Sequence, residues 1–345
     1  MKKLLLTLFA SLYFLGSPLS GLAQSEIGEC TVESYSEDFV YQLKGRNYTN
    51  IDFPISLQSA LYDAELQYYK AQIAIIDQAI LLEEVGRLAK ESGQSEEEVV
   101  REIFNVEPPS NESIHSFYEQ NKEQIAAPLE SVVDQIIQAL RQQKVQERQI
   151  EMLEDIKKKN GFELNISKPV APHAELAVDG FPRKGASNPT VTIVEFADYQ
   201  CPHCKRAATV LAEMLDRFPD DLEIVYVDFP INRSGISRVV AEGAVCAKQQ
   251  GKFWEYHDHA FADQANLSKD TPTRIAEALA LDMASFETCL TSSLPSEHVL
   301  RGENEALRLG LTSTPTLFLN GRRLHLHDFS KELSIEIEAV LNNRG

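Results

Sequence analysis

The first half of the chain carries apolar residues at helical spacing. The pattern predicts a helix from Ser56 to about Ser92, with few residues that would break it. After a turn, Ser95 precedes Glu98 by three positions, which is the spacing of a capping box at the start of a helix. Pro108 and Pro109 end that helix, and a short helix is predicted over 111–124.

A long helix is predicted from Pro128 to about Lys159, closed by Asn160-Gly161. Its first turns carry one apolar stripe, which thins after Leu140. Two interpretations of the thinner part stay open: the helix leaves its own domain there and meets a partner surface, or it is the charged end of a bundle helix. The stripe comprises Leu129, Val132, Val133, Ile136, Ile137 and Leu140.

The pattern changes after a proline-containing linker at 162–172, where we place a domain boundary. The stretch VTIVEFA at 191–197 is typical of a buried strand, and LEIVYVDFP at 222–230 predicts a second one. A helix over 202–218 lies between them. Strand, helix and strand in this order favour a βαβ unit with a parallel sheet.

The rest of the second half is predicted to be helical from about 237 to 310. A hairpin over 315–326 follows, turned by Asn320-Gly321, and then a last helix over 329–343. The sequence therefore predicts an all-α domain at 54–168, followed by an α/β domain with a helical insertion at 169–345.

Residues 1–23 have the pattern of a secretory signal peptide. Lys2 and Lys3 precede an apolar run from Leu4 to Leu15, and small residues lead to a cleavage site near Ala23. The run is too short to span a bilayer, which needs about 20 residues. Residues 24–53 form a polar segment. We therefore expect an exported protein in the periplasm, where disulfides persist.

The formal net charge is −19, and both halves of the chain are acidic. Nucleic acid and anionic lipid surfaces attract basic proteins, so neither is expected as a partner.

The stretch YQCPHC places two cysteines, Cys201 and Cys204, at the predicted start of a helix. Pro202 suits the first helical position, because its missing N–H would have had no partner there. Cys201 would lie at the helix N-terminus, where free N–H groups favour a thiolate. His203 can donate to this thiolate or place positive charge beside it. The motif indicates a redox-active pair.

Two other interpretations of the motif are a zinc site and a pair of inert buried thiols. Zinc needs about four ligands, and the sequence offers no second C-x-x-C. The histidines 257 and 259 are predicted to lie on a helix surface, and 325 and 327 to alternate along a strand. We predict no metal and no cofactor.

Three stretches of the second half resemble the DsbA family of the thioredoxin-like fold: VEFADYQCPHC, GAVCAKQQGKFWEYHDHAF and TSTPTLFLNG. The resemblance implies that Thr314-Pro315 is a cis-proline site facing the cysteines, with the Thr314 backbone pairing with an extended substrate. It implies that Glu195 is a buried acid that relays protons near Cys204. The Pro202-His203 dipeptide matches the oxidising members, whereas threonine before the proline is commoner in isomerase and reductase relatives.

The same resemblance implies a structural disulfide between Cys246 and Cys289. The alternative is two reduced, buried cysteines. Cys30 would then be a free thiol or a cross-link between subunits.

Residues 54–165 resemble the helical N-terminal domain of the SurA-type periplasmic chaperones, in the pattern and order of LYDAELQYYKAQIAIIDQAILLEEVGRLAKESG and the segments that follow. The resemblance implies that this domain binds unfolded exported chains or mediates homo-oligomerisation. A helical spacer is the alternative.

Together these features predict an exported thiol-disulfide oxidoreductase that introduces disulfides into folding exported proteins at Cys201–Cys204. The resemblance implies unfolded or reduced exported proteins as partners, and reoxidation by a membrane quinone-linked thiol oxidase of the DsbB type. Two alternatives remain: an oligomeric disulfide isomerase or reductase, and a holdase chaperone with a secondary redox site.

Overall fold

A computed structural model describes residues 41–122, 125, 127–326 and 328–342. The predicted signal peptide, most of the polar segment and Cys30 lie outside these residues. Among them, Cα packing separates two compact units, one of residues 65–168 and one of residues 41–64 with 169–342. The predicted helical domain began at residue 54, whereas residues 54–64 group with the second unit.

The helices of the first half begin and end close to the predicted positions. They are α1 (Ile55–Ser92), α2 (Glu96–Ile103), α3 (Asn111–Asn121) and α4 (Leu129–Lys159). The predicted capping box is present, since the Ser95 side chain accepts from the Glu98 N–H and the Glu98 carboxylate accepts from the Ser95 N–H.

The later turns of α4 pack into the first unit's own core. Val145, Leu153 and Ile156 contact a cluster formed by α1 and α2, with Val85 at its centre. The interpretation that α4 leaves its domain after Leu140 is therefore wrong.

The second unit contains seven strands among the described residues. They are β1 (Tyr41–Leu43), β2 (Arg46–Tyr48), β3 (Arg183–Gly185), β4 (Val191–Ala197), β5 (Leu222–Asp228), β6 (Thr316–Leu319) and β7 (Arg322–Arg323). Five of them form one sheet in the order β3-β5-β4-β6-β7. In this sheet β4 and β5 run parallel, and each other neighbouring pair is antiparallel. The prediction missed β3 and a separate hairpin of β1 and β2, each strand three residues long.

Seven helices surround this sheet among the described residues. α5 (Pro202–Arg217) connects the two parallel strands, and α11 (Phe329–Asn342) follows the last strand. The helical insertion between β5 and β6 comprises α6 (Ile236–Gln249), α7 (Phe253–Ala262), α8 (Thr271–Ala278), α9 (Met283–Thr291) and α10 (Leu294–Arg308).

The two central strands separate two apolar cores. Side chains alternate along a strand, so Val225 and Val227 face one core with Phe196, whereas Tyr226 faces the other with Cys204 and the insertion. The redox motif thus lies on the face of the sheet that packs against most of the helical insertion, whereas Ala306 of α10 lies in the other core.

A disulfide joins Cys246 of α6 to Cys289 of α9 inside this second core. The two residues are 43 positions apart in sequence. The bond ties the first and fourth helices of the insertion together.

His257 is buried rather than on the helix surface where we predicted it. It is 4% exposed, and aromatic rings including Tyr226 and Phe261 surround it. The polar neighbours Glu255 and Asp258 in the sequence concealed the apolar face on which it lies. Within the described ranges, no cluster of three or more potential metal ligands occurs, and no helix combines the length and apolarity that crossing a bilayer requires.

Candidate active site

The C-x-x-C motif spans the junction between β4 and α5. After β4 ends at Ala197, the chain turns, and the Cys201 N–H donates to the Asp198 carbonyl at 3.0 Å. Cys201 is the N-cap residue of α5, and Pro202 occupies its first turn. The N–H groups of that turn lie beside the sulfur of Cys201, where a negative charge is favoured.

The two thiols differ in their accessibility. Cys201 is half-buried, whereas Cys204, one turn further along α5, is 0% exposed. A reactant from solvent therefore reaches Cys201 only.

The environment also separates the acidities of the two thiols. The pKa of Cys201 is lowered to about 5, first by a hydrogen bond from the Cys204 thiol, with further hydrogen bonds from the Cys204 N–H, the Thr314 side chain and the His203 N–H. Burial raises the pKa of Cys204 far above its usual range, and its hydrogen bond to Cys201 and the charge of Glu195 act in the same direction. Near neutral pH, Cys201 is a thiolate and Cys204 a thiol.

His203 follows Pro202 in the first turn of α5, and its backbone N–H is among the groups that lower the pKa of Cys201. The side chain is exposed, and its Nδ1 is hydrogen-bonded to the Arg206 guanidinium. The action of the imidazole on the thiolate, by donation or by positive charge, stays a prediction.

Thr314 and Pro315 lie opposite the redox motif, before β6. The Cys201 thiol lies 3.3 Å from the Thr314 carbonyl oxygen, to which it donates when protonated. The peptide bond between Thr314 and Pro315 is cis. The structure thus brings these two residues and Cys201 together, as the resemblance implied.

Glu195 lies in β4, directly between Tyr226 of β5 and Leu317 of β6. Its side chain is 1% exposed, and its Oε1 has no hydrogen-bond partner among the described residues. Burial, reinforced by the charge of Cys201, raises its pKa to about 8. The carboxyl group is therefore largely protonated near neutral pH, on the same face of the sheet as Cys204.

A second buried acid, Asp228 at the end of β5, was missed by the sequence analysis. It is 1% exposed, and neither carboxyl oxygen has a hydrogen-bond partner within the described part of the chain. Burial and the nearby charge of Asp198 raise its pKa to about 8. The period-two alternation that places Tyr226 in the core also places Asp228 there, so the sequence did indicate that Asp228 is buried.

The stability of the fold is expected to depend on pH through Asp228. The unfolded aspartate loses its proton near pH 3.9, whereas the folded one keeps it to about pH 8. The unfolded state therefore binds fewer protons between these values, and stability falls as pH rises, by up to about 1.4 kcal/mol per pH unit. Asp228→Asn should reduce this slope, measured by urea unfolding of the oxidised protein from pH 5 to 8.

Asp216→Asn provides the control, because the Asp216 side chain is exposed to solvent. It should leave the slope at its wild-type value. Equal slopes for Asp228→Asn and the wild type would contradict the prediction.

Comparison with known proteins agrees with this architecture. Residues 179–339 match the family model described as Thioredoxin. The chain is 33% identical over 143 residues to the Na⁺/H⁺ antiporter NhaA 3 of Salinispora tropica, which covers 41% of this chain and 22% of the antiporter. The chain thus spans about a quarter of the length of the curated antiporter relatives that it matches.

Two solved structures are also similar. A thioredoxin-like oxidoreductase from Silicibacter pomeroyi has 25% identity and a TM-score of 0.43, over 48% of this chain and 94% of that one. Oxidised BdbD from Bacillus subtilis has 21% identity and a TM-score of 0.44, over 50% of this chain and 99% of that one. The predicted fold class is confirmed: an all-helical region precedes a thioredoxin-like α/β domain.

Proposed function

We propose that this protein is a thiol-disulfide oxidoreductase that introduces disulfides into exported proteins through Cys201 and Cys204. The observation that carries the proposal is the asymmetry of the pair. One thiol is accessible and has a pKa of about 5, while the other is buried and has a raised pKa. A stabilised Cys201 thiolate is a good leaving group, which makes the disulfide oxidising.

The reaction begins when a client thiolate attacks the Cys201 sulfur of the oxidised pair. The Cys201–Cys204 bond breaks, and its electron pair leaves on Cys204, which takes up a proton. A second client thiolate then attacks the client sulfur of the mixed disulfide and releases Cys201 as a thiolate. The client loses two electrons to the enzyme's disulfide, and the enzyme leaves reduced.

Glu195 is proposed to supply the proton that Cys204 takes up. It is largely protonated near neutral pH, and its charge, once formed, disfavours a thiolate at Cys204. Thr314 and Pro315 are proposed to face an extended client segment, with the Thr314 backbone pairing with it beside Cys201. Reoxidation would fall to a membrane quinone-linked thiol oxidase of the DsbB type, in the periplasm of the exporting cell.

The experiment that tests the proposal is the reduction potential of the Cys201–Cys204 pair, measured in glutathione buffers. We expect a value near that of a strong oxidant, about −120 mV, because the thiolate is so well stabilised. A value at or below about −180 mV, in the range of disulfide isomerases, would contradict the oxidase role. It would favour the isomerase or reductase alternative, to which Thr314 also points.

A second candidate function is a holdase chaperone, and a groove in the first unit favours it. The groove has a volume of about 1390 Å³, and its walls combine apolar side chains such as Ile103, Met152 and Phe162 with charged ones of both signs. An unfolded chain offers apolar segments flanked by charges, so such walls suit it.

The Cys201→Ala variant separates the two functions. If it suppresses aggregation of a cysteine-free client as well as the wild type does, the helical unit binds clients independently of redox chemistry. If neither protein suppresses aggregation, the chaperone function is contradicted and the helical unit is a spacer or an oligomer contact.

A further inference from the structure

The side chain of Gln264, which follows α7 in the insertion, is hydrogen-bonded to the turn that carries the redox motif. Its Nε2 donates to the Tyr199 carbonyl oxygen at 2.8 Å and to the Cys201 carbonyl oxygen at 2.9 Å. Both N–H groups of the carboxamide are thus used on two carbonyls of the turn that carries Cys201. No local sequence pattern marks Gln264, because its partners are more than 60 residues away.

The Cys201 carbonyl is the acceptor that closes the first turn of α5. It also accepts from the N–H groups of Cys204 and Lys205, at 3.0 and 3.2 Å. Its direction therefore governs how the first N–H groups of α5 are aimed. These are the groups that surround the Cys201 sulfur.

The other side of the turn is held by a different element. The Asp198 carboxylate accepts from the Gln200 N–H at 2.7 Å and from the Asn232 N–H at 2.9 Å. Ser237 of α6 donates to the same carboxylate. The turn is fixed on this side at Asp198 and Gln200, and on the other side at its carbonyls by Gln264 alone among the described side chains.

We propose that Gln264 is a positioning residue for the redox pair: its carboxamide fixes the Tyr199 and Cys201 carbonyls and so keeps the first turn of α5 aimed at the Cys201 thiolate. Two effects follow. The N–H groups of α5 stay aligned with the sulfur, and the negative ends of two carbonyl dipoles in the redox turn are offset by the N–H donors of Gln264. Both stabilise the thiolate, on which the proposed oxidase function rests.

The test is the Gln264→Met variant of the full mature chain, which keeps the side-chain length and removes both donors. We expect the loss to destabilise the reduced state relative to the oxidised state by about one net hydrogen bond, about 0.5–1.5 kcal/mol. The equilibrium constant for reduction of the pair by glutathione should then fall about two- to twelvefold. The midpoint of the thiolate absorbance at 240 nm should move to higher pH. Gln264→Glu, which turns a carboxylate towards two carbonyl oxygens, should produce a larger change in the same direction.

Gln250→Met is the matched control in the same insertion. Gln250 also makes two hydrogen bonds to backbone, to the carbonyl and N–H of Asp282, but it does not touch the redox turn. It should leave the equilibrium constant and the thiolate titration unchanged. Thermal unfolding of all three variants checks that each is folded.

The outcomes distinguish the two proposals. If the wild-type pair exchanges with glutathione and Gln264→Met and Gln264→Glu both behave like Gln250→Met, the positioning role of Gln264 is overturned while the oxidoreductase function stands. If the wild-type pair does not exchange with glutathione at all, both proposals fail.

Discussion

Replacing Cys201 by alanine should reduce disulfide formation in a reduced client to the uncatalysed rate, because the accessible nucleophile and leaving group are lost together. The Cys204→Ala variant should behave differently. It keeps the reactive Cys201 thiolate, which attacks the disulfide of an oxidised client and expels one client thiolate. Because the variant lacks Cys204, which could release the client again, covalent adducts should accumulate beyond the wild-type level. Gel electrophoresis of samples without and with dithiothreitol measures both outcomes.

The difference between the two variants follows from burial. In Cys201→Ala, the remaining thiol of the redox pair is 0% exposed and its pKa is raised, so it should not form adducts. Both variants are made in a Cys30→Ala background, so that Cys30 contributes no thiol. Cys30→Ala alone serves as the control and should keep the wild-type rate. Adducts on Cys201→Ala, or none on Cys204→Ala, would contradict the assignment of the attacking and resolving thiols.

The double variant Cys246→Ala, Cys289→Ala should lose about 4 kcal/mol of unfolding free energy. In the chain-entropy model this is the contribution of a bond that closes a loop of the observed length, a separation of 43 residues. Both sulfurs also lie in the core beside the redox helix, so their removal leaves space among closely packed side chains. Urea unfolding of the oxidised proteins measures the loss.

This variant tests whether the Cys246–Cys289 disulfide affects only stability or also the redox pair. The potential of the Cys201–Cys204 pair should stay at its wild-type value, because the two bonds are electronically independent. A loss of less than about 1 kcal/mol would contradict a stabilising role for the bond between α6 and α9.

The features that depend on residues close together in the sequence were predicted well. Pro128 and Asn160-Gly161 bound α4 because proline fixes its own φ and glycine tolerates the positive φ found at Gly161, whatever the distant residues are. The same holds for Pro202 at the start of α5. The parallel arrangement of β4 and β5 followed from the intervening helix, which offers few other ways to connect two buried strands.

Features that depend on distant partners could not be predicted. β3 has only three residues and exists because β5 offers it an edge to pair with. His257 is buried because rings from other elements, Tyr226 among them, close around it. The contact of the His203 imidazole with Arg206 depends on a rotamer, which the motif does not specify.

The boundary between the two units also differs from the prediction, because residues 54–64 group with the second unit. The helical pattern from Ser56 to Ser92 predicted α1 as one continuous helix, and it is one. Helical periodicity reports which face of a helix is apolar but not which neighbour covers it. Asp63, on the first turns of α1, pairs with Arg323 of β7, a contact that lies 260 positions away in sequence.

The complete burial of Cys204 also bears on the lifetime of the covalent adduct with a client. In the proposed reaction, an adduct on Cys201 ends in one of two ways: the client's second thiol completes the client's disulfide, or Cys204 attacks and returns the client reduced. Only a thiolate attacks, and burial keeps Cys204 protonated, so the second reaction is slow. In the proposed reaction, the burial of Cys204 thus prolongs the lifetime of the adduct, so that a folding client can bring its second cysteine to the adduct before Cys204 releases the client.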